Sequence, residues 1–309
     1  MSDITKAPLI KWSGSKRKQA PQIVDTFPRI IDTYYEPFVG GASVLHEILN
    51  RVYEGDMEVK KFICSDLNKD LISIWNKFQE NPNELFDYYC KQRETLFKYS
   101  GLKSYDDKID KEHIKAASVF YYEERDRFNH MEKNDPERGC LFFWITKTCF
   151  NGLIRYNPKG YFNVPFHVGG GLGQSPENLE KVMEAWIEVM KDQKIFFLNE
   201  SYECSFVAAT NKDIIYMDPP YANFEGMYFL SGFDNKKFFK EINNLNERNI
   251  KWFLSYDGKT GDDDRTEQIP VKYSNHIYIN SGASNFKKLK SKSVGTNPDD
   301  LVYDSLYIS

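Results

Sequence analysis

The chain has 309 residues, 41% of them hydrophobic and 28% charged, with a formal net charge of −4. That length supports a large core and two domains, and the balance is that of an ordinary globular protein. No apolar run approaches the ~18 residues of a membrane span, the N-terminus lacks the pattern of a signal peptide, and the small negative charge advertises no nucleic-acid partner. Cys64, Cys90, Cys140, Cys149 and Cys204 are odd in number and scattered, with no C-x-x-C pair. This argues against a disulfide framework and against a zinc site, and it fits a reducing cytoplasm; no metal is expected.

Near the N-terminus KWSGSK, Lys11 to Lys16, sets Trp12 and two lysines around a turn of small residues. It reads either as an anchored loop or as a cover for a ligand carrying a carboxylate, with Lys16 as counter-charge and Trp12 as a wall. Two strand-to-helix units follow. TYYEPFVGGASVLHEIL passes from an aromatic strand through Gly40-Gly41 into an amphipathic helix. KFICSDLNKDLISIWNKF repeats the pattern, with Asp66 at the carboxyl end of its strand and Leu71, Ile74, Trp75 and Phe78 at helical spacing. Strand, tight turn and helix in succession predict a parallel sheet with right-handed crossovers.

From residue 81 to 176 the character changes. Charged helical stretches such as HIKAASVFYYEERDRFNHM have no strands around them, and FNGLIRYNPKGYFNVPF follows. There RY-NPKG-YFNV predicts a β-hairpin, with Asn-Pro opening the turn and Gly160 taking a positive φ. From Arg138 to Ser175 there is no Asp or Glu, while Arg138, Lys147, Arg155, Lys159 and His167 fall inside. A second basic run, KKLKSK, spans Lys287 to Lys292. Such runs are ordinarily solvated faces. The middle region reads as a second domain, 81–176, inserted into a sheet domain formed by 1–80 and 177–309.

Past the insertion, KIFFLNES, DIIYMDPPY and NIKWFLSYDG are apolar strands with polar carboxyl ends, and KKFFKEINNLNER is a crossover helix between the last two. HIYINSG and LVYDSLYIS make a closing antiparallel pair. The expected fold is α/β, a Rossmann-like sheet in which parallel strands meet an antiparallel closing strand, with a mainly helical insertion.

In open α/β sheets ligands bind beyond the carboxyl ends of the strands. The Phe38-Val39-Gly40-Gly41 turn, Asp66 and the DPPY cluster gather there. Asp66 lies 26 positions after Gly40 (66 − 40), suited to ribose hydroxyls, and the turn lacks the G-x-G-x-x-G spacing of a pyrophosphate site. A nucleoside without phosphates fits better. In DPPY, Pro219 and Pro220 fix two φ angles and remove two N–H donors. Asp218 and the Pro219 carbonyl would accept both hydrogens of an exocyclic amine while Tyr221 stacks on its ring. The amine's lone pair would then point at a methyl donor, and the base would have to leave its duplex first.

KWSGSK, YEPFVGGASV, SDLNKDLI, FNGLIRYNPKGYFNVPF, LNESY and DPPY, in this order, resemble the Dam-type family of DNA adenine-N6 methyltransferases over the chain up to Tyr221. The resemblance implies S-adenosyl-L-methionine as cofactor, contacted by Trp12, Lys16, Asp66 and Asp218. The turn Glu36, Pro37, Phe38, Gly40 and Gly41 would pass beside its methionine part. Asp218, Pro219, Pro220 and Tyr221 match the catalytic loop, and the insertion matches the target-recognition domain. Within it Phe150 matches a wedge into the base stack, Arg155 a guanine-reading arginine, and Asn151, Asn157 and Lys159 further DNA-contacting positions. The implied partner is double-stranded DNA, with GATC as the expected site. A monomer, or a transient dimer on DNA, is expected in the cytoplasm with no membrane contact, and a cognate restriction endonuclease is a candidate partner.

NSGASNFKKLKSKSVG stands where the family carries an Arg-rich, Asn-Gly-containing segment. Rival readings are transfer to cytosine N4 or to a protein glutamine, neither of which needs the FNGLIRYN hairpin, and a catalytically inactive DNA-binding regulator, which would be free to lose DPPY and Asp66. A nicotinamide oxidoreductase is disfavoured by the missing glycine spacing.

Overall fold

The computed structural model describes residues 7–167, 172–220, 233–260, 263–264, 266, 269–283 and 301–309. In chain order the first half holds α1 (Ala20–Val24), β1 (Ile30–Glu36), α2 (Ser43–Tyr53), β2 (Glu58–Ser65), α3 (Lys69–Glu80), α4 (Pro82–Ser100), α5 (Lys111–His130) and α6 (Arg138–Thr148). The second half holds α7 (Pro176–Met190), β3 (Ile195–Leu198), α8 (Tyr202–Ala208), β4 (Ile214–Met217), α9 (Asn235–Glu247), β5 (Lys251–Thr260), β6 (Asp263–Asp264), β7 (Asn275–Ala283) and β8 (Leu301–Ile308). Two compact units result. The sheet unit takes in Lys16–Leu67 and the described residues from Val189 to Ser309. The helical unit takes in the described residues up to Ser15 together with Asn68–Glu188.

The sheet runs β3-β2-β1-β4-β5-β8-β7, with β6 paired to β5. From β3 to β5 every pairing is parallel. The closing pair is antiparallel as expected, and β8 is inserted between β5 and β7, antiparallel to both. All four residues of β4 are buried, as a central strand covered on both faces requires. One face carries Ile215, Met217, Trp252 and Leu254 under Phe238, Ile242 and Leu245 of the amphipathic α9. Chain order reverses between β1 and β4. That is the switch point at which a crevice opens beyond the strand ends.

Pairing between β5 and β8 slips once. Tyr256 faces Ser305 and Lys259 faces Tyr303, so Asp257 and Gly258 together oppose Asp304. This is a β-bulge, a device that turns side chains locally. Gly258 is required there because an added Cβ would overlap the Tyr303 carbonyl oxygen.

In the helical unit α6 is buried along its whole length, with Leu141, Phe142, Phe143, Trp144 and Ile145 fully enclosed. Asp70 at the start of α3 receives Arg138 in two hydrogen bonds, at 2.6 Å from Nε and 3.3 Å from Nη2. Arg138 Nη1 also donates to the Phe128 and Met131 carbonyls. Trp75 of α3 packs on Trp186 of α7 with ring centres 5.1 Å apart. These contacts draw α3 and most of α7 into the helical unit, so the division falls at 67/68 and 188/189 instead of the expected 80/81 and 176/177. The N-terminal segment joins the same unit, where Trp186 donates to the Ala7 carbonyl at 3.2 Å.

Candidate active site and nucleic-acid interface

At the carboxyl end of β1 the chain turns through Pro37 and Phe38 into Gly40 (φ 46) and Ala42 (φ 55), the residue that caps α2. The turn is tied to β2 by Val39 N–H donating to the Ser65 carbonyl at 3.0 Å. Asp66, half-buried beyond β2, accepts the Gly40 N–H on Oδ2 at 3.2 Å. The two sequence-predicted elements, 26 positions apart, are therefore joined directly. Asn199 of LNES donates to the Asp66 and Leu67 carbonyls at 2.9 and 3.0 Å, bracing the same strand end from β3. Phe38 stacks on Tyr202 and meets Phe233 and Phe238 edge-on, so one wall of the turn is aromatic.

Glu36 ends β1 and is buried, accepting the Tyr34 hydroxyl at 2.8 Å. Burial, reinforced by the Asp218 charge, pushes its carboxyl up to about 8, with the Tyr34 hydrogen bond acting against the shift. Asp218 follows β4 directly, with Pro219 buried and Pro220 half-buried behind it. Buried Lys16 stands 3.1 Å from Asp218 Oδ1 and 3.4 Å from Asp304 Oδ2. Burial works against the lysine's charge, yet the two carboxylates hold its pKa above the ordinary value. Gln19 Nε2 donates to Asp304 Oδ2 at 3.0 Å. Neither Asp304 nor Gln19 lies in a motif that the sequence marks. The only signal for Asp304 was a charged residue in the middle of an apolar final strand. Tyr221 lies outside the described residues, as does the basic run 287–292.

The helical unit carries the second group of predicted residues. Trp12, half-buried, is here and not in the sheet unit with Lys16. After α6 a 3-10 turn spans Phe150–Gly152, leaving Phe150 42% exposed and Asn151 exposed with φ 55. Gly152 follows at φ 65, and a Cβ there would come within 2.6 Å of the Lys11 side chain. The Asn-Gly pair is thus demanded by backbone conformation and by the N-terminal segment crossing it.

The predicted hairpin forms. Tyr156 bridges Phe162 antiparallel, Asn157 N–H donates to the Tyr161 carbonyl at 2.8 Å, and Gly160 takes φ 79. The Asn157 carboxamide oxygen receives the Lys159 and Tyr161 N–H groups, so Asn157 closes the turn from within. Its base is held by Tyr121 and Arg125 donating to the Val164 carbonyl and by Asn129 paired with Phe162. On this platform Arg155 and Lys159 are exposed, and Asn163 Oδ1 steers Arg155 by accepting from Nε at 2.8 Å.

The acid-free basic stretch does not act as one face. Arg138 is 2% exposed and engaged by Asp70. Lys147 is also buried, its pKa lowered to about 7 by burial and by Lys11, and it donates to Gln174 Oε1 at 3.1 Å. Charge patterning alone could not separate these two interior cations from Arg155 and Lys159. No group of three or more His, Cys, Asp or Glu side chains able to hold a metal occurs among the described residues. No described helix is long and apolar enough to cross a membrane.

Residues 12–281 match the D12 class of N6 adenine-specific DNA methyltransferases. The DNA adenine methylase of Haemophilus influenzae is 28% identical over 96% of this chain and 90% of its own. The type II methyltransferase M.MjaIII of Methanocaldococcus jannaschii is 33% identical over 69% of this chain and 68% of its own. The DNA adenine methylase of Escherichia coli is 33% identical over 69% of this chain, the match spanning 64% of that protein's length. Together with a mostly parallel sheet closed by β8, the match shows that the chain belongs to the D12 class of N6 adenine-specific DNA methyltransferases.

Proposed function

We propose that this protein methylates adenine N6 at a specific site in duplex DNA, with the base turned out of the helix and S-adenosyl-L-methionine as donor. The observation that carries the reading is the Asp218 carboxylate, fixed at the carboxyl end of β4 and paired with Lys16 at the sheet's switch point. An exocyclic amine offers two N–H donors. Asp218 and the Pro219 carbonyl supply two acceptors on a backbone that the prolines stiffen, orienting the nitrogen lone pair away from them. As the nitrogen becomes cationic its proton grows acidic, so Asp218 accepts it or passes it to water without a base of raised pKa.

The residues present suit the donor. Asp66, half-buried at a strand end, is placed for a ribose diol, and the Gly40–Gly41 turn tied to it offers bare backbone beside Phe38. Lys16 is a buried cation suited to a carboxylate, and Glu36 and Pro37 are buried where β1 leads into the same turn. When bound, S-adenosyl-L-methionine supplies an electrophilic methyl group on a sulfonium, and no covalent enzyme intermediate is required.

Recognition is assigned to the helical unit. Phe150 is exposed at the start of the turn that holds left-handed Asn151, as a wedge between base steps would be. Arg155 presents its guanidinium from a braced hairpin, the geometry for reading guanine O6 and N7. Asn151, Asn157 and Lys159 flank it for polar and phosphate contacts. The favoured target is GATC, with a monomer acting on each site in the cytoplasm; a cognate restriction endonuclease is the partner sought if the chain serves a restriction pair. The test is to incubate the pure protein with unmethylated genomic DNA and S-adenosyl-L-methionine, then map modified bases by single-molecule sequencing. N6-methyladenine at one short motif is expected. Modified cytosine, or no modified base, would overturn the reading.

A further inference from the structure

We propose that Asp304 is a positioning residue for methyl transfer, sharing the Lys16 ammonium so that the lysine does not monopolise Asp218. The inference rests on the reading that Asp218 receives the adenine amine. Lys16 is the cation between two carboxylates, at 3.1 Å from Asp218 and 3.4 Å from Asp304. A lysine held by Asp218 alone would compete with the incoming amine for the same carboxylate, and in a buried setting that competition is strong. A second carboxylate lets the lysine lean away as the amine arrives, without leaving an unpaired charge in the interior.

Two features show that Asp304 is set in place for this. The only slip in the β5–β8 ladder falls opposite it, two residues of β5 facing this one of β8, with Gly258 allowing the close approach. Bulges of this kind re-aim side chains near active sites. Gln19, 94% enclosed just before α1, also donates to the Asp304 oxygen that faces Lys16. Neither a bulge nor a buried amide is needed for β8 to close the sheet, since the apolar Leu306 and Tyr307 do that by packing.

The test compares wild type with Asp304→Asn, Asp304→Glu and Gln19→Met in single-turnover methylation of duplex DNA, alongside cofactor dissociation constants from equilibrium dialysis and melting temperatures. Losing one charge-assisted partner should lower the Asp304→Asn rate about 10-fold, with cofactor affinity changed less than about 3-fold. Asp304→Glu, which keeps the charge, should recover to within about 3-fold of wild type, and Gln19→Met should show a milder loss of about 3-fold. Should Asp304→Asn fail to fold, the other two variants carry the same decision. A wild-type rate in Asp304→Asn overturns the inference. So does an equal fall of rate, cofactor affinity and melting temperature that Asp304→Glu does not relieve, since that marks a merely structural residue. Absence of adenine methylation by the wild type would overturn the functional reading as well, and so is distinguishable from failure of this inference alone.

Discussion

Tyr156 donates its hydroxyl to Asp70 Oδ2 at 3.0 Å, so the hairpin that carries Arg155 is anchored to the first turn of α3. Arg138 holds that carboxylate from the other side. Tyr156→Phe removes one hydrogen bond to a charged group and should cost roughly 1.5–3 kcal/mol of stability. The loss should concentrate in the hairpin, as faster amide exchange at Asn157 and Gly160. Unchanged exchange there would show that the Asn129 and Tyr121 contacts suffice to hold it.

Arg155 reads a base in this account, whereas Lys159 touches phosphate. Arg155→Ala should lose roughly 1–3 kcal/mol on cognate duplex and relax preference at one guanine. Lys159→Ala should weaken all duplexes alike and reduce the salt slope by about one unit. Competition binding with single-base-substituted duplexes separates the two. A uniform loss in Arg155→Ala would make the arginine a phosphate clamp.

Asp66 holds the Gly40 turn and, in the proposed function, the cofactor ribose. Asp66→Ala should weaken S-adenosyl-L-methionine binding by on the order of 10-fold, the equivalent of one charged hydrogen bond. Duplex affinity, borne largely by phosphate contacts, should change little. Equilibrium dialysis checks the first and filter binding the second.

Glu36 predicts a pH dependence. Its carboxyl titrates near 8 in the fold against an ordinary value of 4.5, because of burial first and the Asp218 charge second. The folded state therefore holds a proton that the unfolded chain has released between those values. Stability contributed at this site falls as pH rises through that window, by up to about 1.4 kcal/mol per pH unit. Glu36→Gln should flatten the decline of melting temperature between pH 5 and 8, and a decline identical to wild type would show that Glu36 ionises normally.

The sheet was legible because its strands are apolar runs ending in polar residues, and because β1, β2 and β3 are each followed by a helical stretch. The turn at Gly40, the strand-end Asp66 and the NPKG hairpin were legible for a similar reason: turn chemistry is local. What escaped is non-local. Asp304 lies 288 positions from Lys16 (304 − 16) and is brought to it only by sheet order and a bulge. Arg138 and Lys147 share the acid-free basic stretch with Arg155 and Lys159, and only tertiary packing shows them inside. The unit boundaries moved because Trp75 and Asp70, on a helix that follows the second strand without a break in pattern, find their partners on α7 and α6.

The central claim is that Asp218 receives the amine of a flipped adenine. Single-turnover transfer of labelled methyl to adenine in a cognate duplex, wild type against Asp218→Ala, tests it most directly. Removing one preorganised group at the reacting atom should slow transfer at least ~10²-fold while duplex affinity stays within about 3-fold, since phosphate contacts dominate it. Methyl transfer by Asp218→Ala at near the wild-type rate would contradict the account.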